Sequence, residues 1–113
     1  MKDCTMTIQP GDFWVADIPF TDGSVSKKRP ALVLWIDAQD VVVAAVTSAM
    51  PRSQTDVPLS DWQASGLRVA STVRLSRLDC LEPSLLLFRL GRISTADAQR
   101  IKDVWAKYVK PQF

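Results

Sequence analysis

The sequence predicts a small, mainly β protein, a strongly bent barrel of the SH3-like kind with one C-terminal helix. Two observations carry this. Short β-branched or alternating apolar segments recur between short turns rich in Pro, Gly and Asp. Only one segment, at the C-terminus, combines helical periodicity with matching start and stop residues. The chain has 113 residues, the size of a single domain spanning 1–113. With 47% hydrophobic and 23% charged residues, it lies far from the composition of disordered chains.

Each element can be justified in order. Residues 12–18, DFWVADI, alternate loosely after the Pro10–Gly11 turn and form a first strand. The turn-rich, charged stretch PFTDGSVSKKR that follows reads as a loop. Residues 30–36, PALVLWI, and 41–47, VVVAAVT, are joined by the short DAQD and predict an antiparallel hairpin, the most buried pair of strands. TDVPLS is a short strand that Pro58 places at an edge, because proline has no N–H to give to a ladder. In SDWQASG, Ser60 as N-cap, Gln63 in the capping-box place and Gly66 as stop predict one helical turn.

In residues 71–77, STVRLSR, Val73 and Leu75 point one way and Thr72, Arg74 and Ser76 the other. A further strand lies within SLLLFRLGRI. The C-terminal helix has a capping box in Ser94 and Asp97. Ala98, Ile101, Val104, Trp105, Tyr108 and Val109 share one face, Lys107 and Lys110 lie near its negative end, and Pro111 stops it. Trp14, Trp35 and Trp105 are expected in the core, and Trp62 is more open to contact with a partner.

The net charge of +2 is mildly basic, so any attraction for nucleic acid has to come from a local patch. There is no histidine, and the two cysteines, Cys4 and Cys80, have no metal-like spacing. The expectation is two reduced thiols, no metal and no cofactor. The N-terminus lacks the apolar run of a signal peptide, and ALVLWI and VVVAAV are far too short to span a membrane. The expected setting is cytoplasmic.

No triad, phosphate loop or dinucleotide fingerprint is present. What remains is a set of cationic and hydroxyl groups at strand ends. Arg29 stands at the start of the second strand, Thr47 and Ser48 at the end of the third, and Arg74 on a later strand. A hairpin of the second and third strands makes Arg29 and Thr47 neighbours. Pro30 drives Arg29 into an extended backbone, and an arginine fork beside a hydroxyl suits a phosphate. At this level a solvated KKR loop remains the competing reading.

The stretches GDFWVADIPFTDGSVSKKRPALVLW, DVVVAAVTS, DVPLSDWQASGL, STVRLSRL and LGRIS, in that order, resemble the PemK/MazF toxins of type II toxin–antitoxin modules. The resemblance runs from Gly11 to the C-terminal helix. It implies a dimeric SH3-like barrel that cleaves single-stranded RNA sequence-selectively and without metal, the RNA 2′-hydroxyl attacking its own phosphate. It also implies a cognate antitoxin whose disordered segment folds over the site.

The arginine of RP and the threonine of TS carry the catalytic pair over to Arg29 and Thr47, and Arg74 is placed to hold phosphate. Lys27, Lys28, Ser48 and Ser76 complete the expected RNA-binding set. Relatives carry an acidic residue either in the loop before RP or two positions after the later-strand arginine. Here those places read Ser24–Val25 and Ser76, so Asp22, the nearest loop carboxylate, stands as candidate general base. The alternative is a non-catalytic relative on the same barrel that binds RNA alone, or a protein target as gyrase poisons do.

Overall fold

The computed structural model of the chain describes residues 7–19 and 26–113. Six strands and one α-helix, with a short 3-10 helix at Pro83–Leu85 before the last strand, follow in order: β1 Asp12–Pro19, β2 Ser26–Asp37, β3 Asp40–Thr47, β4 Asp56–Pro58, β5 Thr72–Leu81, β6 Leu86–Arg92 and α1 Thr95–Tyr108. They form one sheet in the order β4-β5-β3-β2-β1-β6. All neighbours are antiparallel. The mainly β class with a C-terminal helix is as expected. Among the described residues the sheet stays open, with β4 and β6 as its edges, rather than closing into a barrel.

β2 begins at Ser26, earlier than expected. Lys27 and Lys28 pair with Ile18 and Asp17 of β1, so the KKR run is strand and not loop. Its ladder to β3 starts only at Ala31, directly after Pro30, which lacks the donor that a central strand needs. The β2–β3 connection is the tight hairpin anticipated from DAQD, with Asp37 facing Asp40 and Ala38 at φ 56°.

Both faces of the sheet are covered. One carries Phe13, Leu32, Val73 and Leu75 beneath Ile101 of α1, with Val104, Trp105 and Val109 packed against them. The other gathers Trp14, Ala16, Val33, Val41, Val43 and Leu81. A bulge between Val33 and Trp35 moves Trp35 opposite Val42. Without it, Trp35 would share the buried face of Val33, two residues back. Trp35 is instead 42% exposed, contrary to its expected core position, and meets Trp105 edge-on at 5.8 Å. Trp14 is fully buried and Trp105 half-buried.

The capping box of α1 forms by half. Ser94 accepts from the Asp97 N–H at 3.1 Å, but the Asp97 carboxylate turns away from its own helix. It accepts from the N–H groups of Ser60 and Asp61 at 3.0 and 2.8 Å and from Arg100 at 2.9 Å. Arg100 also reaches the Ser60 hydroxyl and the Pro58 carbonyl. The 62–66 turn is therefore capped from α1, and Ser60 serves as an acceptor for Arg100 instead of as the N-cap. The fully buried carboxylate is satisfied by three donors, as burial demands.

Gly66, at φ +91°, ends that turn against β6. A Cβ on Gly66 would collide with the Leu90 carbonyl, and one on Gly91 with the Ser65 carbonyl. Both obstacles are backbone and cannot swing aside. Gly91→Ala is expected to destabilise the protein by about 2 kcal/mol or more, and Gly66→Ala by a further increment for its left-handed backbone. Denaturant unfolding checks both, and an unchanged midpoint for Gly91→Ala contradicts this packing.

Candidate active site

The site is laid out by β3. Its alternate residues Val41, Val43, Ala45 and Thr47 point to one face. Ala45 pairs with Ala31 of β2, and continuing that register by two residues brings Arg29 opposite Thr47. On the other side, Ala45 pairs with Arg74 and Thr47 with Thr72 of β5. Arg29, Thr47 and Arg74 thus converge from three adjacent strands at one end of a face whose other end is apolar core. Because the β2–β3 ladder stops at Pro30, the chains part there and a cleft opens.

This cleft, of about 340 Å³, is lined by Arg29, Thr47, Arg52, Arg74, Arg77 and Asp79, with Ile18, Ala45 and Val46 as its apolar floor. Arg29, Val46 and Thr47 also border a second hollow of about 240 Å³, with Ser48, Val69 and Ser71. Four guanidinium groups on one cleft supply the local positive charge that the weakly basic chain lacks as a whole.

Thr47 is half-buried at its strand end, and its Oγ1 accepts from the Ala49 N–H at 3.1 Å. The hydroxyl proton is not used in that bond and can be donated to a ligand. Arg74 is held by Asp56, Nε to Oδ1 at 3.4 Å, where the carboxylate is 1% exposed. The other oxygen of Asp56 accepts from the Arg52 N–H at 2.9 Å. One buried carboxylate therefore fixes Arg74 and anchors the loop that carries Arg52. Among the described residues, Arg29, Arg52 and Arg77 make no ion pair or side-chain hydrogen bond, leaving three forks available for anionic oxygens.

Of the residues singled out from sequence, Arg29, Thr47 and Arg74 meet at the cleft, and Ser48 lies beside it in the second hollow. Lys27 and Lys28 are exposed on β2 outside both. Ser76 is exposed and does not line the cleft. Asp22 and Cys4 fall outside the described residues. Arg52, Arg77, Asp56 and Asp79 were not singled out; a regular strand from Arg74 onward hides Asp79, and nothing local marks Arg52. Among the described residues no group of three or more His, Cys, Asp or Glu could hold a metal, and no helix is long and apolar enough to cross a membrane.

The sequence matches the family model of the PemK-like, MazF-like toxin of type II toxin–antitoxin system over residues 9–108. The chain belongs to this family. Solved structures similar to this PemK/MazF-like chain include an endoribonuclease from Mycobacterial species, 17% identical, covering 92% of each chain with a TM-score of 0.69. Another is an endoribonuclease in complex with its cognate antitoxin from Mycobacterial species, 19% identical, covering 91% of this chain and 95% of that one with a TM-score of 0.72. The MazE-MazF structure (Form-II) from Deinococcus radiodurans is 19% identical, covers 88% of this chain and 91% of that one, and has a TM-score of 0.61. Among curated proteins the sequence finds no match.

Asp56 offers a test of how the PemK/MazF-like cleft is held. Asp56→Asn removes the charge that pairs with Arg74 and weakens the acceptor for the Arg52 N–H. The expected stability loss is about 1–3 kcal/mol, read from thermal or urea unfolding. An Asp56→Asn protein as stable as wild type shows that the pair does not hold the loop.

Proposed function

We propose that this chain is an endoribonuclease toxin that cuts single-stranded RNA sequence-selectively and is neutralised by a cognate antitoxin. The observation that carries this reading is the convergence of Arg29 and Thr47 on one cleft with Arg52, Arg74 and Arg77. Attack of an RNA 2′-hydroxyl on the adjacent phosphorus builds negative charge on the phosphoryl oxygens. Arg29, its backbone held extended by Pro30, faces that charge with its fork, and the Thr47 hydroxyl donates to a phosphoryl oxygen. Donors already in place before charge develops are the most effective kind. Arg74, oriented by Asp56, holds the same or a neighbouring phosphate, and Arg52 and Arg77 take those that flank it.

The nucleophile belongs to the RNA, so the products are a 2′,3′-cyclic phosphate and a 5′-hydroxyl. Among the described residues the cleft offers one carboxylate, Asp79, and no histidine or thiol, a poor donor set for a divalent cation, and the reaction needs none. The antitoxin fits the same chemistry: a disordered acidic segment that folds onto the arginine-lined cleft excludes RNA from it. The similar solved structures of an endoribonuclease in complex with its cognate antitoxin and of MazE-MazF support this partner. We place the protein in the cytoplasm as a two-fold homodimer, in which two clefts double the positive charge offered to one RNA strand.

Arg29→Ala and Thr47→Ala should each fold normally and slow RNA cleavage about 10²–10³-fold, as measured on a fluorescent single-stranded RNA in excess chelator. Near-wild-type cleavage by folded Arg29→Ala defeats the assignment, and so does full-rate cutting of an RNA with 2′-deoxy at the scissile nucleotide. RNA binding should weaken with salt with a log–log slope of about −0.7 for each phosphate engaged. Titration of a 2′-deoxy oligonucleotide at several salt concentrations measures it, and a flat response rules out phosphate recognition by the arginines.

A further inference from the structure

In a regular strand, Arg74 and Asp79 would lie on opposite faces, because five positions is an odd separation. β5 is not regular here. Ala45 of β3 pairs with Arg74, and the adjacent Ala44 pairs with Leu78, so Leu75, Ser76 and Arg77 have no partner on β3. Three extra residues restore the parity. Val43, the next residue of β3 on the cleft face after Ala45, pairs with Asp79. Along the ladder Asp79 therefore stands one same-face step from Arg74, in the place that position 76 would hold without the bulge.

Asp79 lines the cleft with Arg29, Thr47 and Arg74 and is half-buried there. Among the described residues its carboxylate makes no hydrogen bond or ion pair, although four arginines border the same cleft. The contrast with Asp56 is sharp, since Asp56 is buried and committed to Arg74 and the Arg52 N–H. A carboxylate serving structure is engaged in this way. The Asp79 carboxylate, without a partner among the described residues, keeps its lone pairs available to a ligand's hydroxyl.

The geometry points to Asp79 as the general base of the cleavage reaction, an inference that rests on the ribonuclease reading above. In this step the 2′-oxygen bonds to the adjacent phosphorus and its proton passes to the Asp79 carboxylate. The bond from phosphorus to the 5′-oxygen of the next nucleotide breaks with its electron pair, and that oxygen takes a proton from water. Asp79 then returns its proton to solvent, which restores the charge balance. Ser76, carried outward on the bulge, has no part in the reaction.

The test is Asp79→Asn, which keeps size and removes basicity, beside Asp79→Glu and Asp22→Asn. Asp79→Asn should slow cleavage about 10²–10⁴-fold, the range for loss of a general base. Its binding of a 2′-deoxy oligonucleotide should be unchanged or tighter, since a negative charge has left a positive cleft. Asp79→Glu should recover part of the rate. An RNA whose leaving 5′-oxygen is replaced by sulfur, which departs without a proton, should leave the Asp79→Asn defect in place.

Four results overturn the proposal: near-wild-type cleavage by folded Asp79→Asn, a parallel fall in RNA binding, rescue by the sulfur substrate, or the full base signature in Asp22→Asn instead. If wild-type protein cleaves no RNA, the ribonuclease reading fails and takes this inference with it. If wild type cleaves, Arg29→Ala does not and Asp79→Asn does, only the assignment of Asp79 fails.

Discussion

Strand β3 is hydrogen-bonded on both sides, to β2 and to β5, so its two-residue alternation is imposed on both neighbours. That constraint orders the whole molecule. The residues of β3 that face one way begin as core, Val41 and Val43, and end as site, Ala45 and Thr47. On β2 the same face runs from Val33 and Ala31 to Arg29, and on β5 from Leu81 and Asp79 to Arg74. The cleft is the unfilled end of a hydrophobic face, and the backbone that carries Arg29, Arg74 and Asp79 is as firmly placed as the apolar residues that precede them. An arginine on a free loop would have to be ordered at the moment of binding, at a cost in side-chain entropy. Here much of that ordering comes with the fold.

The charge of the cleft is also divided by role. Arg74 is paired with a buried carboxylate, whereas among the described residues Arg29, Arg52 and Arg77 leave their forks unpaired. Asp97 plays the corresponding part away from the cleft, joining α1 to the 60–66 segment through two backbone N–H groups. Asp97 ties together pieces of chain that share no ladder, whereas Asp56 with Arg74 and Asp12 with Arg89 and Arg92 brace strands that already pair, β4 with β5 and β1 with β6.

Much of this was legible in the sequence because it depends on local rules. The apolar runs at 30–36 and 41–47 with DAQD between them specify a hairpin, and a hairpin places Arg29 near Thr47. Pro58 marks an edge strand, and Ser94 marks the start of α1. The rest was hidden because it depends on breaks in those rules. A bulge at Leu34 turns Trp35 out of the core it was expected to fill, and the three unpaired residues after Arg74 bring Asp79 round to the cleft. Both reverse the face of every residue beyond them, and neither has a signature in residue type. Asp97 was misread for another reason: the capping box is a local pattern, and its carboxylate was recruited by a segment 37 positions away. Asp22, the carboxylate singled out as a base, lies outside the described residues.

The pairing of β1 with β6 has a consequence in time. Asp12 meets Arg92 80 positions further along the chain. At a synthesis rate of about 5–20 residues per second, β1 therefore waits about 4–16 s for its outer neighbour to leave the ribosome. β5, which supplies Arg74 to the cleft, is also late, and α1, which pins the 60–66 segment, comes later still. The nascent chain thus carries Arg29 and Thr47 for seconds before the walls that aim them exist. On the function proposed above, the nascent chain stays beside the message being translated while its cleft is still incomplete, and the cleft is whole only once β5 and α1 have been made.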